Sequence, residues 1–192
     1  MAEKMVMVDG NSLMYRAFHA LPLLDDGEGV YTNAVYGFFS MLFSALASEQ
    51  PDYLGVAFDL HGPTFRHERF DEYKAGRAPT PDELRPQFEL ACQVLSAMHV
   101  PILTREGFEA DDILGTLSLQ AEALGIESVL ITGDRDAYQL SGELTTILYT
   151  KRGISDTGRV TPAFVMDKYG VTPHQLIDVK ALMGDKSDNI PG

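Results

Sequence analysis

Along this chain, short apolar runs alternate with longer stretches of helical period. Met5-Val6-Met7-Val8, Tyr53-Leu54-Gly55-Val56-Ala57-Phe58 and Val129-Leu130-Ile131-Thr132-Gly133 are short and almost wholly apolar, and they read as buried strands. Pro101-Ile102-Leu103-Thr104 and Thr145–Tyr149 add two more. Between them, residues 11–20, Asn33–Ala47, Asp82–His99 and Ala110–Leu124 read as helices. In the second of these, Val35, Phe38, Phe39, Leu42 and Leu46 share one face, as core packing requires. Pro81 and Asp82 suit a helix start and Gly125 a helix end. A short helix around Ala137–Leu140, a hairpin or loop over Lys151–Val160, and two short helices at Pro162–Tyr169 and Pro173–Met183 complete the pattern. Such alternation predicts an α/β fold, a central and mostly parallel sheet flanked by helices.

One stretch breaks the pattern. Residues 61–82 hold two histidines, three arginines, one lysine and three prolines, with few aliphatics. A polar excursion of that length inside a compact domain is usually functional.

Composition narrows the class. With 192 residues, 45% of them hydrophobic, the chain can bury a full core in one domain, or in one domain and the start of a second. No apolar run approaches the roughly 18 residues that span a bilayer, and Met-Ala-Glu-Lys leads straight into a strand, unlike a signal peptide. The lone Cys92 sits among Leu90, Val94 and Leu95 and is expected as a core thiol. A reducing, cytoplasmic setting without a membrane is the expectation.

The acids change the picture most. Asp9, Asp59 and Asp134 each close a predicted strand. Ligands of open α/β sheets bind beyond the carboxyl ends of the strands, so the three would converge on one small volume. Carboxylates that close cannot all stay ionised without positive charge between them, and Mg²⁺ or Mn²⁺ takes hard oxygen ligands. Glu109-Ala110-Asp111-Asp112 opens a helix, where acids also simply complement the helix dipole. Thr132-Gly133-Asp134-Arg135-Asp136 adds Asp136, a spacing that recurs in ordinary turns. Asp185 and Asp188 stand three apart in a polar turn after the last helix. The conjunction of all these groups, rather than any one, points to metal. The formal net charge of −13, from 15 lysines and arginines against 28 acids, would fall to −4 without those nine. A globally acidic chain can therefore still work on a polyanion.

Cations and rings follow Asp59 directly: Phe65, Arg66, Arg69, Tyr73, Lys74 and Arg77. Interleaved in this way they suit single-stranded nucleic acid, with bases stacked on rings and phosphates on cations. Glu68, Asp71 and Glu72 in the same stretch keep a solvated amphipathic helix as the alternative. Arg16 stands on the first helix near Asp9, within reach of a phosphate or an acid. The five histidines show no ligand spacing and read as surface or structural. A phosphotransfer role with Asp9 or Asp134 as nucleophile is disfavoured, because Gly10-Asn11 follows Asp9 where a second aspartate would be needed.

Taken in order, Val8-Asp9-Gly10-Asn11-Ser12, Ala57-Phe58-Asp59, Phe65-Arg66, Tyr73-Lys74, Glu109-Ala110-Asp111-Asp112, Thr132-Gly133-Asp134-Arg135-Asp136 and Gly184-Asp185-Lys186-Ser187-Asp188-Asn189-Ile190-Pro191-Gly192 resemble the 5′-nuclease domain of bacterial DNA polymerase I, a 5′→3′ exonuclease and flap endonuclease. The resemblance runs from about residue 4 to residue 192 and implies a PIN-like core over residues 1–160. It also implies an arch or clamp at 61–86 and, over 161–192, the start of a helix-hairpin-helix-type DNA-binding subdomain. By family motif, Asp9, Asp59, Glu109 and Asp111 would surround a first Mg²⁺ or Mn²⁺. Asp134, Asp136, Asp185 and Asp188 would surround a second, with Asp111 or Asp112 shared or acting through water. Arg16, Lys74 and Arg77 would meet the scissile phosphate, and Phe65, Arg66 and Tyr73 the 5′ strand. The implied partners are DNA with a 5′ end or flap and RNA primer–DNA hybrids, with a polymerase module fused in the full-length protein. The family's chain continues past Asn-Ile-Pro-Gly into elements that grip duplex DNA, so a weakly catalytic DNA-binding module is the alternative.

Overall fold

The computed structural model of the chain describes residues 2–192. Its elements follow in the order β1 (Lys4–Asp9), α1 (Gly10–Ala20), α2 (Asn33–Glu49), β2 (Tyr53–Ala57), α3 (Phe65–Arg69), α4 (Arg85–Ala97), β3 (Ile102–Leu103), α5 (Ala110–Ala123), β4 (Glu127–Thr132), β5 (Thr145–Arg152), β6 (Asp156–Val160), α6 (Pro162–Tyr169) and α7 (Leu176–Met183), with a short 3₁₀ helix at Asp136–Leu140 before β5. The sheet order is β3-β2-β1-β4-β5-β6. The first five strands run parallel, and β6 returns antiparallel to β5 as the expected hairpin.

Period-2 alternation divides the core between two faces. Val6, Val8, Val129 and Ile131 join Leu13, Phe38, Leu42 and Leu95 on the face covered by α1, α2 and α4. Met7, Leu130 and Ile147 join Leu114, Tyr138, Val165 and Leu176 on the face covered by α5, α6 and α7. Residues 161–192 thus pack onto the same core through Val165 and Leu176. Cys92 is only half-buried, at the margin of the first cluster, where burial raises its thiol pKa. Among the described residues no helix is long and apolar enough to cross a membrane.

One helix start differs from the sequence expectation. The fourth helix begins at Arg85 rather than Asp82, whose side chain stands 95% exposed. Residues 82–84 form a turn instead, and Pro86 takes the first helical turn, where its missing N–H costs nothing. Thr32 makes no side-chain cap on α2; Gln87 of α4 does so from a distance, its Oε1 accepting from Ala34 N at 2.7 Å and Val35 N at 3.2 Å. That contact ties the two helices and satisfies two otherwise unpaired donors.

Candidate metal centre

β1 and β4 lie side by side, yet the chain leaves them in opposite directions, towards β2 and towards β5. A crevice opens beyond the carboxyl ends of such a pair. All nine acids singled out from the sequence line this one cleft of about 1500 Å³, as do Arg16, Arg66, Tyr73, Lys74 and Arg77. Phe65 does not line it; its ring packs on Phe108 at 5.6 Å, with the Arg66 guanidinium over it at 4.6 Å.

Local structure aims Asp9, Asp59, Asp111 and Asp134. Asp9 ends β1 and caps α1, its Oδ1 accepting from Ser12 N at 2.9 Å, while Oδ2 accepts from the Thr132 hydroxyl at 2.8 Å. Asp59 stands two residues beyond β2. Its backbone N–H donates to Asn11 Oδ1 at 3.0 Å, and its Oδ1 accepts from Ala110 N, the first residue of α5, at 2.7 Å. Asp111 projects from the first turn of α5. Asp134 turns back after β4, its N–H donating to Thr132 Oγ1 at 3.0 Å and its Oδ1 accepting from Asp136 N at 2.8 Å.

Electrostatics unite these four. Burial pushes the Asp9 carboxyl up to about 6, and the charges of Asp59 and Asp134 add to that against the hydrogen bonds from Ser12 and Thr132. Asp111 is driven well above the usual carboxylate range, by burial first and then by Asp9, Asp134, Asp59 and Glu109. Among the described residues, none of Asp9, Asp59, Asp111 and Asp134 has a lysine or arginine partner. Asp134, assigned by motif to the second metal set, therefore acts electrostatically with the first.

The other five acids are answered by cations. Arg66 grips both oxygens of Asp112, at 2.7 and 2.8 Å, and lies 3.8 Å from Glu109. Burial pushes the Asp112 carboxyl up, but Arg66 prevails and holds it below its ordinary value. Asp112 also accepts from Glu109 N at 2.9 Å, closing the first turn of α5. Lys74 Nζ is 2.7 Å from Glu109 Oε1, and Arg77 pairs with Asp188. The Tyr73 hydroxyl lies 3.1 Å from both Glu109 and Asp188, and its single proton serves one at a time. Lys74 N donates to Asp188 O at 2.9 Å and Asn189 Nδ2 to Glu72 O at 3.0 Å. The excursion after Asp59 is thus pinned to α5 and to the 185–190 turn. Tyr73, expected to offer its ring to a nucleobase, is 7% exposed, because two carboxylates draw its hydroxyl inward. Burial and those charges raise its pKa well beyond the ordinary phenol value.

Lys180 of α7 gave no signal in the sequence. Its ammonium sits 2.6 Å from Asp136 Oδ1 and 2.8 Å from Asp185 Oδ2. Burial raises the Asp185 carboxyl, but Lys180 and Ser187 overcome it and hold the group well below the usual range. Arg16 donates to Thr150 O at 2.7 Å and so faces the cleft wall.

The donor set fits hard divalent cations: oxygen only, four acids without a lysine or arginine partner among the described residues, two of them buried enough to raise their carboxyls, and five more lining the same cleft. Among the described residues no three acids already close into a cage.

The family model for the 5′-3′ exonuclease, N-terminal resolvase-like domain, matches residues 4–170. DNA polymerase I of Bacillus caldotenax is 53% identical over 192 residues, which is the whole of this chain and 22% of that protein. DNA polymerase I of Bacillus subtilis is 51% identical over 190 residues, 99% of this chain and again 22% of the relative. The chain thus spans about a fifth of the length of these curated relatives. Among solved structures, the bacteriophage T5 5′-exonuclease with bound zinc superposes with a TM-score of 0.78 at 25% identity, over 99% of this chain and 70% of that one. The T5 D15 flap endonuclease in a pseudo-enzyme-product complex with DNA and metal ions gives 0.77 at 24% identity, with the same coverage of both chains. The strand-end acids, the sheet order and these matches agree, and the chain belongs to the 5′-3′ exonuclease family represented at the N-terminus of bacterial DNA polymerase I.

Proposed function

We propose that this cleft hydrolyses DNA phosphodiesters at a 5′ end or 5′ flap, as a 5′→3′ exonuclease and structure-specific flap endonuclease using two divalent ions, Mg²⁺ or Mn²⁺. The observation that carries the reading is the group of four acids Asp9, Asp59, Asp111 and Asp134, which line one cleft without a lysine or arginine partner among the described residues, Asp9 and Asp111 with carboxyls raised by burial and by the charges of the others. Asp9, Asp59, Asp111 and Glu109 would hold one ion, and Asp134, Asp136, Asp185 and Asp188 the other, with Asp112 near the seam. Bound there, the ions supply the positive charge that activates water and offsets charge on the phosphate. Lys74 and Arg77 exchange Glu109 and Asp188 for phosphate oxygens as DNA enters, and Arg16 offers a third cation from α1. Cations fixed at the developing charge are worth roughly 10²–10³ in rate. Of the residues expected along the 5′ strand, Arg66 lines the cleft, whereas Phe65 packs on Phe108 and the Tyr73 ring is buried, so Arg66 is the one assigned to the strand. RNA primer–DNA hybrids are a second substrate class, and replication and repair in the cytoplasm, within a longer polymerase chain, the setting.

The test is incubation of this chain, and of a version extended past Gly192, with a labelled 5′-flap duplex, with and without Mn²⁺. Metal-dependent cleavage leaving 5′-phosphates supports the reading. DNA binding without turnover by both versions would favour the non-catalytic module.

A further inference from the structure

Thr132, the last residue of β4, is wholly buried, and the reaction outlined above gives it no part. Valine has nearly its shape and would suit a buried parallel strand as well. The hydroxyl is what needs explaining. Oγ1 lies 2.8 Å from Asp9 Oδ2 and 3.0 Å from the backbone nitrogen of Asp134. An N–H can only donate, so Oγ1 accepts from Asp134 and its one proton is free for Asp9. On the other side Asp9 Oδ1 accepts from Ser12 N at 2.9 Å, while Ser12 Oγ accepts from Gly133 N at 2.7 Å. Two hydroxyls therefore lace the end of β1 to the turn after β4. Gly133 leaves room for this lacing: a Cβ there would sit 3.0 Å from Ser12 Oγ and 3.3 Å from Thr150 Oγ1 on β5.

We propose that Thr132 is a positioning residue: its hydroxyl ties the Asp9 carboxylate to the backbone that carries Asp134, and so sets the separation of two acids that come from different strands. The role presupposes the divalent-ion chemistry proposed above. Partners that orient metal ligands in this way are typically worth about 10–100-fold in metal affinity.

The test is Mn²⁺ uptake by the 192-residue chain, read from the paramagnetic resonance of free Mn²⁺, for wild type, Thr132→Val, Thr132→Ser and Asp111→Asn. Circular dichroism reports folding in parallel. Thr132→Val should bind Mn²⁺ about 10-fold or more weakly, while Thr132→Ser stays close to wild type. Excess Mn²⁺ should then recover flap cleavage by Thr132→Val. Wild-type affinity in a folded Thr132→Val chain overturns the proposal. An equal loss in Thr132→Ser also overturns it, since that would assign the effect to the methyl group. Should the valine chain not fold, Thr132→Ala against Thr132→Ser makes the same comparison, because the pair differ by the hydroxyl alone. Failure of the metal reading itself looks different: wild type and Asp111→Asn would then take up Mn²⁺ alike or not at all.

Discussion

The Arg66 guanidinium holds both oxygens of Asp112, and the adjacent Asp111 has no cation at all among the described residues. Neighbours in sequence, the two acids stand in opposite electrostatic conditions. Asp112→Asn should therefore cost little Mn²⁺ affinity, within about threefold, and chiefly loosen the segment at 65–77. Asp111→Asn should cost on the order of 100-fold or more. Calorimetric titration of both variants checks this, and equal losses would refute the division.

Lys180 neutralises Asp136 and Asp185 together. Its replacement by methionine should free both acids and tighten the weaker Mn²⁺ binding step several-fold, as read by calorimetric titration. A weaker second step in Lys180→Met would instead make Lys180 a support for those acids.

These contacts mark the limit of what the sequence allowed. Strand ends were legible because buried parallel strands are short apolar runs and each of three closes on an aspartate; the helical faces were legible from their period. Partners of the cations were not. Arg66, Lys74 and Arg77 read as substrate contacts because charge can be seen in a sequence and pairing cannot. In a chain at −13 they reach carboxylates first. Lys180 was invisible for a related reason, since only the docking of α7 against the turn after β4 brings it to Asp136. The Tyr73 ring followed its hydroxyl inward, against its expected role.

Glu49, which does not line the cleft, gives a pH-dependent handle on stability. Burial pushes its carboxyl up, but Arg159 and then Lys4 outweigh that and hold it below its ordinary value. A depressed carboxylate contributes stability above its unfolded pKa and loses it as pH falls through its folded pKa. Glu49→Gln should thus cost about 1–2 kcal/mol at pH 7, and wild type and variant should converge at pH values well below 4. Urea unfolding at several pH values tests it; a pH-independent gap would contradict the assignment.

Gly10 sits where α1 leaves β1, and a Cβ there would meet the Phe58 ring at 2.4 Å. Phe58 directly precedes Asp59. Gly10→Ala should cost about 1–3 kcal/mol through overpacking and lower cleavage beyond what the lost stability explains, as Asp59 shifts with the ring. An unchanged unfolding midpoint would show that the ring moves freely.

The central claim is that Asp9, Asp59, Asp111 and Asp134, the acids without a cation partner among the described residues, hold the ions that cut DNA. Its most direct test is the single-turnover rate on a labelled 5′-flap duplex at saturating Mn²⁺, for wild type and Asp111→Asn, with binding of the same duplex measured in Ca²⁺. The variant should bind the flap as wild type does and cleave it at least about 10³-fold more slowly. Cleavage by folded Asp111→Asn at the wild-type rate would contradict the account.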